Sequence, residues 1–385
     1  MYSIRFIDTL DAVAADAWNR VVATDYPFIR HQFLSALEHS GCVGSAESGW
    51  LCEHALVERD GELVAVMPLY RKLHSYGEYV FDWQWADAYE RYGRRYYPKL
   101  VAAIPFTPAT GPRFGIAAGE DAAALCRALV EGLRERVATQ RLSSLHLLFP
   151  QAAQRDLLLA SGLSRRCGVQ YHWFNRDPSG KRYDDFDAFL GALSSRKRKG
   201  LRREREQVAQ AGVTLRWLRG AQIAARDWRL FHAFYEATYA KRSGHGGYLN
   251  RNFFERLGAG MGEQVLLLLA ERGGETVAGA LYLRGGDTLY GRYWGCSEEI
   301  AGLHFEACYY QGIDYCIREG LQRFDAGAQG EHKLLRGFEP VLTDSCHWIA
   351  EPAFRDAVDH FLQQERSHVE AHLREARELL PYRRD

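Results

Sequence analysis

A glycine-rich turn at residues 327–330 is the segment whose residue types best suit the binding of a phosphate or a carbonyl oxygen. It reads Gly-Ala-Gln-Gly, follows a predicted strand and precedes Lys333. Small residues let backbone N–H groups approach such an oxygen closely, and the lysine adds a point charge. A surface loop with a solvated lysine is the alternative. The candidates for binding a donor's phosphates are Lys333, Gly327, Gln329, Gly330, Arg336, Lys197 and Arg198.

The segment Arg196–Arg205 carries seven basic residues in ten positions. Successive positions of a helix point in different directions, so part of this cluster meets solvent while the rest can face a groove. Such a cluster predicts strongly salt-dependent binding of tRNA or of a nucleotide phosphate. A solvated basic helix is the alternative.

His304 and Glu306 are the candidates for taking a proton from an amine. Transfer of an activated acyl group to an amine needs a base and donors for the oxyanion, but no covalent enzyme intermediate, so no Ser-His-Asp triad is expected. The spacing of two places both side chains on one side of an extended segment, though not of a helix. Glu306 could instead bind a cationic acceptor, and a buried structural role is the alternative for both residues.

An aromatic stretch between residues 76 and 97 predicts a wall for a sugar, peptide or base ligand. Nine aromatic residues lie there, with Glu78, Asp82 and Asp87 between them. Aromatic walls with a few carboxylates suit such ligands, and core packing is the alternative. The candidates for binding an acceptor are Tyr76, Glu78, Asp82, Trp85, Asp87, Arg292 and Tyr293.

Two segments repeat each other and indicate how these residues are positioned. Residues 58–65 and 271–278 agree at six of eight positions at an offset of 213, and Tyr76–Tyr79 matches Tyr290–Tyr293 at an offset of 214. An apolar run on each side of a glycine-containing turn predicts a β-hairpin. Two copies predict a duplicated domain, one in each half.

The segments that flank the hairpins alternate between helical and strand patterns. A helix is predicted over 121–138 and a strand over 144–149, and in the second half a helix over 305–318 and a strand over 322–325. This alternation favours an α/β fold over a helical bundle or a β-sandwich.

The length of 385 residues exceeds that of one ordinary hydrophobic core, so two domains are expected. The polar stretch Pro178–Gly180 predicts the connection, which gives domains at 1–178 and 179–385. An amphipathic helix over 353–380 closes the chain and could pack back on the first domain.

The composition excludes several classes of protein. With 47% hydrophobic and 25% charged residues the chain is not expected to be disordered. The 49 basic and 49 acidic residues balance, so the net charge neither supports nor excludes a nucleic-acid partner. The eight cysteines are scattered without a CxxC pair, so neither a disulfide framework nor a metal site is predicted. The N-terminus has no signal-peptide pattern and the longest aliphatic run, Val265–Ala270, is too short to span a bilayer. A cytoplasmic location is therefore expected.

Three segments resemble the Fem-type aminoacyl transferases, enzymes with tandem GNAT-like (acyl-CoA N-acyltransferase-like) domains. They are the basic run Leu193–Arg205 with Ala211–Val213, the segment Leu289–Cys296, and Phe324–Gly330 with Lys333 and Gly337-Phe338. The chain is more similar still to the bacterial Fem-like GNAT proteins of peptidoglycan biosynthesis or recognition. That similarity rests on His74–Trp83, Pro105–Arg113 and Leu303–Glu306.

The resemblance implies an α/β fold of two GNAT-like domains, a role for Lys333 at a nucleotide-linked phosphate, and no tightly bound cofactor. The implied co-substrate is aminoacyl-tRNA, which makes tRNA a possible partner, and the implied acceptor is an amine of a small molecule or peptide. An acyl-CoA-dependent N-acyltransferase is a second hypothesis, and a non-catalytic recognition protein is a third. The phosphate motif of CoA-dependent GNAT enzymes is matched only weakly, by Lys241–Gly246, which follows a predicted helix and not a strand.

Overall fold

The computed structural model describes residues 2–244, 246–328 and 330–383. The strands are β1 (Tyr2–Ile7), β2 (Trp50–Cys52), β3 (His54–Arg59), β4 (Glu62–Met67), β5 (Tyr70–Lys72), β6 (Lys99–Ala102), β7 (Gly115–Ile116), β8 (Ser144–Leu148), β9 (Ser164–Phe174), β10 (Val213–Arg219), β11 (Val265–Arg272), β12 (Glu275–Gly285), β13 (Thr288–Cys296), β14 (Arg323–Asp325) and β15 (Glu339–Ile349). The helices are α1 (Ala15–Val22), α2 (His31–His39), α3 (Trp83–Arg91), α4 (Ala122–Thr139), α5 (Ala152–Ala160), α6 (Phe186–Ala192), α7 (Ser195–Gln210), α8 (Ala225–Ser243), α9 (Arg251–Met261), α10 (Leu303–Phe305), α11 (Gln311–Arg318) and α12 (Pro352–Glu378).

The chain forms two compact units, and each of them combines helices with β-strands. The α/β fold predicted from the alternating patterns is therefore confirmed. The first unit contains the residues up to Gly168 together with Leu342–Ala371, and the second contains Val169–Val341 together with His372–Asp385. The domain boundaries at 1–178 and 179–385 stay a prediction about which segments fold independently.

The first unit has an antiparallel sheet in the order β1-β3-β4-β7 and a group of strands in the order β2-β5-β6-β8-β15. Strands β6 and β8 are parallel, and α4 lies between them in the chain. Asp121 caps α4 by accepting hydrogen bonds from the N–H groups of Ala123 and Ala124. The buried face of α4 packs with apolar residues of these strands into one core, which includes Leu129, Leu133, Leu145 and Leu147.

The second unit has its strands in the order β10-β11-β12-β13-β14-β9, and only β13 and β14 among these neighbours run parallel. Its core contains Trp173, Phe189, Tyr282 and Phe324. A Cβ at Gly295 would lie 2.1 Å from the carbonyl oxygen of Phe234, so only glycine lets α8 approach β13 this closely.

The two predicted hairpins are confirmed, and they share their backbone details. In β3–β4 the turn residues Asp60 and Gly61 have φ angles of 55° and 84°, and in β11–β12 Gly273 and Gly274 have 60° and 86°. Two positive φ angles define the type I′ turn of a tight hairpin. Each hairpin also has a β-bulge at the equivalent position, between 57 and 58 and between 270 and 271.

The second part of the predicted repeat is wrong as a structural match. Tyr290–Tyr293 lies within β13, whereas Tyr76–Tyr79 forms a turn after β5. The two segments have similar residues in different conformations because tertiary packing, not the local sequence, decides between strand and turn there.

Candidate active site

The parallel pair β13–β14 opens at one end. The two strands pair over Thr288↔Arg323, Leu289↔Phe324 and Tyr290↔Asp325, after which β13 continues to Cys296 with β12 as its neighbour. The chain leaves β14 at Asp325 and enters the glycine-rich turn. The turn and the far half of β13 therefore begin at the same point of the sheet.

A buried ion pair occupies this point. Arg292 Nη2 lies 2.9 Å from Asp325 Oδ2, and His172 Nε2 lies 3.8 Å from Asp325 Oδ1. Although burial alone would raise it, Arg292 and His172 hold the pKa of Asp325 at about 2, and burial lowers the pKa of His172 to about 4. Arg292 was an acceptor-binding candidate, and the structure directs its guanidinium to Asp325. Asp325 and His172 were missed, although an acid directly before a glycine-rich turn is a usable signal.

Lys333 and Asp325 hold the glycine-rich turn from two sides. Asp325 Oδ1 accepts a hydrogen bond of 2.9 Å from the N–H of Gly327, and Lys333 Nζ donates one of 2.5 Å to the carbonyl oxygen of Gly327. The Lys333 side chain is buried, and burial lowers its pKa to about 8. The ammonium thus binds the backbone of the turn. Gly330 borders His332, and Gln329 lies outside the described residues.

Helix α7 divides the basic cluster into an inner and an outer face. On the inner face Arg205 pairs with Glu306 at 3.0 Å, and Glu204 accepts hydrogen bonds from Arg336 Nη2. Arg336 is therefore a buried structural cation, stacked over Phe305. The candidates Lys197 and Arg198 are half-buried.

The outer face of α7 is a basic stripe formed by Arg196, Lys199 and Arg203, at spacings of three and four residues. All three side chains are exposed, and none of them forms a salt bridge within the described part of the chain. The basic cluster thus does present positive charge to solvent.

The expectation that His304 and Glu306 lie on one side of an extended segment is wrong, because the segment is helical. Residues Glu306–Tyr310 form a π-helical turn between α10 and α11. The Glu306 carboxylate is buried, forms an ion pair with Arg205 and accepts a hydrogen bond of 2.8 Å from Gln311 Nε2. It also borders a groove of about 350 Å³. His304 instead lines a separate cavity of about 870 Å³. Both residues therefore reach open space, Glu306 as a carboxylate already paired with Arg205 and His304 beside the larger cavity.

The cavity beside His304 lies at the end of β13. Its walls come from the last turns of α8, from Trp294 and Cys296, and from the connection between β13 and α10. The ring of Trp294 meets that of His304 edge-on at 5.5 Å between centroids. Tyr293, an acceptor candidate, points to a different place and packs against Tyr235 and Phe254.

The acids of the aromatic stretch are buried in the first unit around a lysine that the sequence reasoning missed. Lys99 Nζ donates hydrogen bonds to Ser75 Oγ at 2.8 Å, to Glu78 Oε2 at 2.9 Å and to Asp82. Burial raises the pKa of Glu78 to about 7, whereas Lys99 keeps the pKa of Asp82 well below its usual range even though burial opposes this. Lys99 lies between apolar residues on both sides in the sequence, and this position could have indicated a buried lysine that needs acidic partners.

The other candidates of this stretch are divided between core and surface. Trp85 is buried and packs its ring against His347, while Tyr76 and Asp87 are exposed. Burial of Glu78, Asp82 and Trp85 favours the core-packing alternative for these three residues over direct contact with an acceptor.

Glu38, Cys52 and His54 are a grouping of metal-binding residue types within the described residues. The N–H of Leu69 donates to His54 Nδ1, so the proton of the neutral imidazole is on Nε2, which lies 2.7 Å from Glu38 Oε1. A metal at Nε2 would displace that proton and leave both ring nitrogens without one. The arrangement is therefore that of an imidazole–carboxylate pair.

Two α/β units, each with a bulged hairpin and a parallel strand pair joined through a helix, define a tandem protein of the GNAT fold class. The chain belongs to the FemAB-like family, whose model, described as peptidoglycan biosynthesis/recognition, matches residues 9–384. No curated protein matches the sequence.

Several solved structures are similar to this chain. The C-terminal domain of a putative lysylphosphatidylglycerol synthetase from Agrobacterium fabrum has 10% identity and a TM-score of 0.53, over 90% of this chain and 94% of that chain. The L-PGS of Bacillus licheniformis has 10% identity and a TM-score of 0.50, over 86% and 96%. FemX has 13% identity and a TM-score of 0.48, over 82% and 96%.

Within the described residues no helix has both the length and the apolar character that a bilayer crossing needs.

Proposed function

We propose that the protein is an amide-forming aminoacyltransferase that moves an aminoacyl group from aminoacyl-tRNA to an amine of a cell-wall precursor or peptide. Membership of the FemAB-like family supports a role in peptidoglycan metabolism. The observation that carries the choice of tRNA is the basic stripe of α7, whose three exposed cations form no salt bridge among the described residues.

The turn from β13 to α10 argues against acyl-CoA as the donor. A pyrophosphate cradle needs backbone N–H groups and positive potential at the start of a helix. This turn carries Glu298 and Glu299, whose negative charges oppose the binding of a pyrophosphate next to the start of α10. The weak motif match at Lys241 falls at the C-terminal end of α8, which Gly244 caps, where the helix dipole repels anions.

The chemistry assigned to this chain is one acyl transfer, with a proton first taken up and then returned by His304. After the acceptor ammonium has lost one proton to solvent, its nitrogen attacks the ester carbonyl of the donor. His304 accepts a second proton as the C–N bond forms and returns it to the departing ribose oxygen as the C–O bond breaks. Lys333 and Asp325 keep the glycine-rich turn in place and are positioning residues.

A tRNA-binding measurement tests the basic stripe. Replacement of Arg196, Lys199 and Arg203 by Gln should weaken binding of the protein to tRNA and reduce the slope of log K against log salt by about two to three, because each lost phosphate contact removes about 0.7–0.9. The matched control replaces three other exposed arginines of the second unit, Arg226, Arg229 and Arg256, by Gln. Equal effects of the two triple variants, or no binding of tRNA by the wild type, would contradict the proposal.

A further inference from the structure

The cavity beside His304 has the size and position of a ligand site. Its volume of about 870 Å³ falls within the range of small-molecule pockets. Its lining includes Trp294 and Cys296 of β13, which lie beyond Tyr290, the last residue that pairs with β14 among the described residues. Because it is lined only by residues of the second unit, its geometry is set within one compact body.

The aromatic part of the lining suits a cation. Trp294 is half-buried, so its ring is fixed by the core while part of it meets the cavity. A ring of this kind attracts an ammonium group that comes within about 6 Å of its face. The imidazole of His304 stands next to it, where it can exchange a proton with the same group.

The charged residues of the lining also favour the binding of an ammonium group. Among the described residues of the lining, Glu298 and Glu299 are acidic and Lys241 is basic. Glu299 pairs with Lys241, and Glu298 pairs with Arg272 outside the lining. All four side chains are exposed, and exposed ion pairs contribute only about 0–1 kcal/mol, so a ligand ammonium can replace either cation at little cost.

We propose that this cavity binds the acceptor of the transfer through a primary alkylammonium group, such as that of a lysine side chain, held between Trp294 and the carboxylates of Glu298 and Glu299. The inference rests on the proposed function for naming the ligand as the acceptor. The binding site itself can be measured without any transfer.

Calorimetric titration of the full chain tests the site. The probe is Nα-acetyl-lysine methylamide, whose single charge is the side-chain ammonium, and the isosteric comparison is Nα-acetyl-norleucine methylamide. The wild type is expected to bind the lysine probe at least tenfold more tightly than the norleucine compound. The double variant Glu298→Gln/Glu299→Gln should lose about tenfold in affinity, and Trp294→Leu a comparable factor.

The matched control is Glu255→Gln, because Glu255 is also a partly exposed carboxylate paired with an exposed arginine, Arg251. It should bind the probe as the wild type does. No detectable binding of the lysine probe to the wild type, or equal binding of the norleucine compound, would overturn the site, and so would unchanged affinity in the double variant. Binding of the probe without aminoacyl transfer to any amine would overturn the proposed function and leave the site standing. Transfer with an unchanged KM for the amine in the double variant would do the reverse.

Discussion

At the scale of single residues, the charged groups that lie in the two cores are paired with groups of opposite charge. Lys99 in the first unit and the Arg292–Asp325 pair in the second are almost fully buried, and each charge has a partner within hydrogen-bond reach. Buried pairs of this kind give little net stability over an apolar core, but breaking one leaves an uncompensated charge. These residues therefore fix local conformation around the candidate sites.

Replacement of Lys99 by Met should destabilise the protein by about 3–5 kcal/mol, because it removes the shared partner of Glu78 and Asp82 and leaves carboxylates buried. Urea denaturation measures the loss. The control is Lys181→Met, which breaks an exposed pair with Asp184 and should change stability by less than about 1 kcal/mol. Similar values for the two variants would contradict the structural role of Lys99.

Glu78 should make stability depend on pH in the opposite sense to an ordinary carboxylate. Burial raises its pKa to about 7 in the folded state, against about 4.3 when unfolded, so its contribution is fully present below about pH 4 and is lost as the pH rises to about 7. Glu78→Gln removes this dependence. The stability of the variant relative to the wild type should therefore increase between pH 5 and pH 8, as chemical denaturation at each pH would report. A difference that is constant over this range would contradict the assignment.

At the scale of elements, the hairpins could be predicted from the sequence. For the helix around Glu306 the sequence predicted the helix but not its π-helical turn. Turn chemistry is local, so Asp60-Gly61 and Gly273-Gly274 specify their type I′ turns in the sequence itself. The helix over 305–318 was predicted from its periodicity, but the π-helical turn inside it was not. Within that turn Glu306 pairs with Arg205 of α7, a contact between distant parts of the sequence, whereas His304 lines the cavity.

A pair of glycine substitutions tests the hairpin geometry. Gly274 has a φ of 86°, so Gly274→Ala should destabilise the protein by about 1–2 kcal/mol. Gly200 lies inside α7 with open space around a Cβ, so Gly200→Ala should stabilise it by about 0.5–1 kcal/mol. Thermal unfolding of both variants gives the two signs. Destabilisation by Gly200→Ala would show that α7 needs this glycine for a reason other than helix propensity.

At the scale of the whole molecule, the fold was predictable because duplication leaves a readable trace. The match of 58–65 with 271–278 and the alternation of helices with strands were sufficient for two α/β copies. The site was less predictable, because burial is a property of tertiary packing. The sequence shows Lys333, Glu78 and Asp82 as polar residues in suggestive places, but only the fold reveals that their charged groups are turned inward.

Two features that remain accessible, the basic stripe of α7 and the cavity beside His304, belong to the second unit. In the proposed transfer the stripe binds a polyanionic donor and the cavity binds an amine acceptor. A single transfer reaction requires both, so we propose that donor binding and acceptor binding belong to the same compact unit.

The most direct test is transfer of a labelled amino acid from a mixture of charged tRNAs to a lysine-containing peptidoglycan precursor. We predict label in an amide product only when charged tRNA is supplied, no product with acetyl-CoA or longer acyl-CoA donors, and a rate lower by about 10²–10⁴ in a folded His304→Gln variant. Product formation from acyl-CoA, or no transfer from any charged tRNA to any amine, would contradict this prediction.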